Sequence, residues 1–126
     1  MKAESLSDPS VVEFYSEIID EGDLEMLPMQ QLVDRLAGKE YAESISASTS
    51  HYNLCLGPGL QQEESLTISY FPHVKQFQIR YWNANTHKFE THKVYDREAE
   101  NLIDSLVLRL LIQTREVPEE NRNTEK

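Results

Sequence analysis

The sequence predicts an α+β domain with two N-terminal helices, a four-stranded, mainly antiparallel sheet (a meander), and one long C-terminal helix packed on the sheet. Apolar residues recur at helical spacing in the first 37 residues and again after residue 96. Between these segments they alternate with polar residues, as half-buried strands do. Residues 1–118 are therefore predicted to form one domain, and the polar, acidic residues 119–126 a disordered tail.

Two amphipathic helices are predicted at the N-terminus. Asp8 suits the N-cap and Pro9 the first helical position, where a missing N–H costs nothing. Gly22 follows as a left-handed C-terminal residue. A second helix is predicted from Pro28 to Ala37, with Gly38 after it, and the segment from Lys39 to Glu43 fits either a helix extension or a loop.

Four strands are predicted, at about 52–56, 65–70, 76–82 and 88–95, and residues 44–50 fit either a further polar strand or a flexible segment. Gly57, Pro58 and Gly59 are predicted to break the first of the four strands, and Pro72 to end the second. In the last hairpin, burial favours a loop of three or five residues. This register places Phe89 and Thr91 on the apolar face with Phe77, Ile79 and Tyr81. The opposite face then carries these residues: Gln76, Gln78, Arg80, Trp82, Lys88, Glu90, His92 and Val94.

The last helix is predicted to begin at Asp96 and to be stopped by Pro118. Its apolar stripe is wider than one helix face, because Val107, Leu108 and Ile112 lie beside the core positions. Such a helix is expected to be buried on more than one side. It either packs between the sheet and the first two helices or contributes part of its surface to a homodimer.

The 126 residues include 22 acidic and 12 basic side chains, a net charge of −10. Because phosphate contacts need clustered lysine and arginine, this balance argues against a nucleic-acid binder. No apolar run could span a bilayer, and no signal peptide is recognisable, so a cytoplasmic location without membrane contact is predicted. A single cysteine excludes an internal disulfide.

The sequence lacks the common motifs of metal sites, phosphate-binding loops and catalytic nucleophiles. The sequence has no CxxC, HExxH, EF-hand or P-loop pattern and no GxSxG elbow. We therefore predict no catalytic residue, no metal ligand and no cofactor, and a protein that is not an enzyme.

The acidic charge is concentrated near the N-terminus. Residues 1–37 carry a net charge of −7, residues 38–95 are neutral, and residues 96–126 carry −3. Like charges one helical turn apart repel, and acids near a helix C-terminus oppose the helix dipole. This costly arrangement fits either a solvated face or a docking surface. The acids in question are Glu13, Glu17, Asp20, Glu21, Asp23 and Glu25.

Three functions are weighed on this basis. The first is a non-catalytic protein-binding module, such as an inhibitor or immunity protein, that docks a basic partner such as a nuclease toxin through these acids. Arg80 and Trp82 are predicted as further partner-binding residues, since tryptophan is common at interface hot spots. The alternatives are a homodimeric accessory or chaperone-like domain, and single-stranded nucleic-acid binding on the sheet face by Tyr81, Trp82, Phe89, Arg80, Lys88 and Lys93.

Overall fold

A computed structural model describes residues 4–58, 65–83 and 86–124 of the chain. The helices are α1 (Pro9–Asp20), α2 (Leu27–Ala37) and α3 (Asp96–Thr124), with 3-10 turns at Leu24–Met26 and Glu40–Ser44. The strands are β1 (Glu4–Ser5), β2 (Ile45–Ser50), β3 (Asn53–Pro58), β4 (Leu66–Phe71), β5 (Gln76–Asn83) and β6 (Lys88–Tyr95). The predicted α+β class is confirmed, with three helices and an antiparallel meander that ends in a C-terminal helix.

The meander contains five strands, β2 to β6, where the sequence predicted four. The two-residue strand β1 adds to its edge, so that strand order follows chain order. The additional strand is β2, in the segment that the sequence left open between a polar strand and a flexible segment. Ile45 and Ala47 are buried in it, while serines occupy the alternate positions. With so few apolar residues its pattern is weak, and its strand character follows from pairing with β3.

The helix boundaries follow local signals closely. The Asp8 side chain accepts a hydrogen bond from the Ser10 amide (2.9 Å), and Pro9 opens α1. Gly22 has a φ of 116°, a left-handed conformation that costs glycine little. The segment from Lys39 to Glu43, which the sequence left open, leads into the second 3-10 turn, Glu40–Ser44.

Two elements extend beyond their predicted ends. Strand β3 continues through Gly57 to Pro58, which pairs with Ile45. Helix α3 continues past Pro118 to Thr124. A proline within a helix removes one N–H donor and sets its ring against the carbonyl four residues earlier. Glutamates at positions 116, 119 and 120 favour the helix around it. That residues 119–126 form a tail outside the domain stays a prediction.

The predicted odd-length loop between β5 and β6 is wrong, because four residues connect Asn83 to Lys88. Ile79 pairs with His92 and Tyr81 with Glu90, so these polar residues share the core side of the sheet. Strand β6 is the sheet edge, where this side is only half-covered. Glu90 accepts a hydrogen bond from Asn83 (2.9 Å) and lies 3.5 Å from Arg109 of α3, which satisfies its charge.

All helices pack against one side of the sheet. Helix α3 crosses β3, β5 and β6, α1 contacts β2, and α2 contacts β4 and α3. Phe77, Ile79 and Tyr81 of β5 are fully buried beneath them. The opposite side, which we call the outer face, carries Arg80 and Trp82 as predicted. From β6, however, it carries Phe89, Thr91, Lys93 and Tyr95 instead of Lys88, Glu90, His92 and Val94.

Candidate functional site

Six carboxylates form an acidic surface on α1 and the turn that follows it. Helix α1 buries Val11, Tyr15 and Ile18 against the core, which turns Glu13 and Glu17 outward. Five of the six acidic side chains are exposed, and Asp23 is half-buried. The acidic surface consists of Glu13, Glu17, Asp20, Glu21, Asp23 and Glu25.

The acids of this surface are not neutralised by the described cations of the chain. Within the part of the chain that the structure describes, every ion pair lies elsewhere, either between α3 and the Arg35–Lys39 segment or around Glu90. Among the described residues, the five exposed carboxylates therefore face solvent without a cationic partner. A surface of this kind repels itself and attracts cations.

Apolar side chains accompany the acids at the α1–α2 turn. Leu24, between Asp23 and Glu25, is 67% exposed, and Leu27 is also exposed. Tyr52, from the turn between β2 and β3, is exposed and donates a hydrogen bond from its hydroxyl to Asp23 Oδ2 (2.7 Å). This bond raises the pKa of Tyr52, with smaller contributions from the charges of Glu21 and Glu25.

Sequence reasoning missed these apolar residues. Leu24 and Leu27 fall between the two helical patterns, so nothing in the periodicity assigned them a role. Tyr52 lies 29 residues from Asp23, and only the folded chain brings them together. The available signal was the interruption of an acidic run by a leucine. Together the residues give an apolar centre beside charged neighbours, which resembles the anatomy of protein interfaces.

A second group of carboxylates has a structural role. Glu100 of α3 lies 2.7 Å from Arg35 Nε and also contacts Lys39, which lies 3.2 Å from Asp104. Lys39 and Arg35 lower the pKa of Glu100, and Glu100 and Asp104 raise that of Lys39. These pairs join Arg35 of α2, and Lys39 just after it, to α3, whereas no described cation pairs with the acidic surface.

Arg80 and Trp82 lie on the outer face, away from the acidic surface. The Arg80 guanidinium carbon lies 4.1 Å from the centroid of the Phe89 ring. Trp82 makes an edge contact with Phe89, with ring centroids 5.0 Å apart. The eight predicted partner-binding residues therefore occupy two separate surfaces, because α1 packs on the helix-covered side of the sheet.

Signs of other kinds of site are few. In residues 4–58, 65–83 and 86–124, no cluster of three or more histidine, cysteine, aspartate or glutamate side chains is arranged to hold a metal ion. None of the helices in these ranges is long and apolar enough to cross a membrane. Comparison of the chain with models of known families, with curated proteins and with solved structures found no match.

Proposed function

We propose that the protein is a non-catalytic binding module that docks a basic protein partner through the acidic surface. An inhibitor or immunity protein that covers the positive cleft of a nuclease is the form of this function that the chemistry fits best. The main observation in support is that the six clustered carboxylates form no ion pair with a described cation of the chain, although acids elsewhere do.

Electrostatics support this proposal in two ways. Like charges at helical spacing cost local stability, and a cationic partner would relieve that repulsion. Complementary charge also accelerates association and disfavours partners of the wrong sign. In a nuclease complex, carboxylates would occupy the positions that substrate phosphates take.

The apolar residues beside the acids support a docking surface over a merely solvated face. Leu24 and Leu27 expose apolar surface, which would not stabilise a surface that contacts only water. Tyr52, held by Asp23, presents a large ring with few degrees of freedom. Tyrosine is enriched at interfaces, the exposed leucines add apolar area beside it, and the surrounding charges provide specificity.

Charge reversal tests the proposal. Proteins captured from a lysate at low salt would be identified, and binding of the purified partner would be measured by calorimetry. Reversal of Glu13, Glu17 and Asp20 to lysine should weaken binding more than tenfold, and added salt should weaken it further.

The matched control reverses three exposed acids outside this surface, Asp34, Glu40 and Glu43, which gives the same change of net charge. This control should retain near-normal affinity. If both triple variants weaken binding equally, the effect is one of net charge alone. If neither does so and salt has no effect, the partner docks elsewhere.

A homodimer through α3 is the second candidate function, in the sense of an accessory or chaperone-like domain. Leu108 and Ile112 lie one helical turn apart and are 54% and 53% exposed. The pair forms an uncovered apolar stripe beside Arg109. A second copy of α3 would bury this stripe, and the dependence of stability on protein concentration tests it.

A further inference from the structure

The outer face of the sheet differs in charge from the rest of the chain. At the described outward positions of β2 to β6, the side chains are serine, threonine, asparagine, glutamine, cysteine, arginine, lysine and aromatic residues. No carboxylate stands among these positions, in a chain with 22 acids. Arg80 and Lys93 supply positive charge, and both are exposed.

One end of this face carries a cluster of aromatic rings and a guanidinium. Trp82 contacts both Phe89 and His87, with centroids 5.0 and 6.2 Å apart. The Arg80 guanidinium lies over the ring of Phe89, and Phe89 is still 53% exposed. The Trp82 amide donates to Ser65 O (2.8 Å), which fixes the backbone beneath the cluster. Phe89, His87 and the planar guanidinium of Arg80 are exposed to solvent, and Trp82 is half-buried beside them.

The opposite end of the face is also aromatic and cationic. Tyr95 and Phe71 flank Gln76 and are both exposed. Tyr95 lines an open cavity of about 460 Å³ with Lys75, Asp96 and Arg97. From Gln76 to Trp82 the strand rises by about 20 Å. Lys93 lies between the two aromatic ends, and Arg80 lies on the side of the Trp82–Phe89 cluster that faces it.

We infer that the outer face binds a short stretch of single-stranded nucleic acid, with bases on the aromatic ends and phosphates on Arg80 and Lys93. Exposed bases stack on aromatic rings and on arginine, and a span of about 20 Å suits about four nucleotides. An acidic peptide could pair with the cations, but it has no planar groups to stack on the aromatic rings. A duplex keeps its bases stacked inside the helix, so they are not available to the rings either. The whole-chain charge argues against nucleic acid, whereas the local charge of this face does not.

Fluorescence and anisotropy test the inference on the full-length protein. The probe is a labelled thymidine homopolymer of about eight nucleotides, titrated at low salt. Binding should quench Trp82, the only tryptophan. The logarithm of the association constant should fall by about 1.4 per tenfold rise in salt, the value for two neutralised phosphates on a single strand.

Variants locate the site. Arg80→Gln and Lys93→Gln together should weaken binding about tenfold or more, and Trp82→Phe should weaken it while retaining a ring in the fold. Arg109→Gln is the matched control for Arg80. It removes the same charge from an exposed arginine beside a ring, Tyr81, on the helix-covered side. This control should bind normally.

Four results would overturn the inference. The first is that the oligonucleotide causes neither quenching nor a change of anisotropy at low salt. The second and third are that a duplex of the same length, or an octaglutamate peptide, binds as tightly as the single strand. The fourth is that Arg80→Gln and Arg109→Gln weaken binding of the single strand equally. The peptide result would assign the face to acidic protein segments instead. Circular dichroism of each variant separates loss of binding from loss of fold.

Discussion

Replacement of Leu106 by alanine is expected to lower the free energy of unfolding by about 3 kcal/mol, whereas Leu108→Ala should lower it by about 1 kcal/mol or less. The two residues share a type and a helix, and differ in burial, since Leu106 is 1% exposed and Leu108 54%. The substitution removes about three carbons, worth about 0.8 kcal/mol each when fully buried. The cavity left at Leu106 adds to this loss. At Leu108 only about half of the transfer term applies, and alanine's higher helix propensity offsets part of it.

Urea unfolding measures both values, followed by Trp82 fluorescence and by far-UV circular dichroism. Equal losses in the two variants would refute the packing of α3 described above. The same experiment decides the homodimer candidate when it is repeated at about 2 and about 100 µM protein. An α3 dimer requires stability that rises with concentration, and Leu108→Ala should reduce that rise. Stability independent of concentration would exclude an obligate dimer.

Three further predictions concern ionisation and turns. The lowered pKa of Glu100 means that its stabilising effect is complete above its ordinary pKa of 4.5 and is lost as pH falls through the lower folded value. Glu100→Gln should therefore flatten the fall of stability below about pH 4.5 in acid unfolding curves. His51 has a φ of 58° in the β2–β3 turn, so His51→Gly should raise the free energy of unfolding by up to about 1 kcal/mol. His73→Gly, without positive φ, should not raise it in the same urea assay. Asp23→Asn should lower the pKa of Tyr52 in an ultraviolet titration, because the hydrogen bond to a carboxylate raises it.

The helices were predictable because their signals are local. The Asp8 cap, Pro9 and the periodic apolar residues of α1 act within a few positions of one another, and the structure reproduces them. The acidic surface was equally visible, since helical spacing alone places Glu13 and Glu17 on one side. In both cases no information from distant parts of the chain was needed.

The β6 register was not predictable by the rule that apolar residues are buried. The rule assumes that both strands of the hairpin are covered, but β6 lies at the edge. There Glu90 accepts a hydrogen bond from Asn83 and lies beside Arg109, so placing its carboxylate on the core side costs little free energy. Phe89 in turn remains on the outer face under Arg80. A four-residue loop with His87 at a φ of 57° closes this register.

The register also changes what the charge of the chain means for function. With Phe89 and Tyr95 outward and Glu90 inward, the outer face gains rings and loses its predicted carboxylate. The acidic charge is then most concentrated on α1 and its turn, while the outer face of the sheet presents cations and aromatic residues on another side. Since Glu13, Glu17, Arg80 and Lys93 are solvent-exposed, and no ion pair among the described residues involves them, their substitution should alter binding far more than folding. The two surfaces can therefore be tested independently, and a negative result on one leaves the other intact.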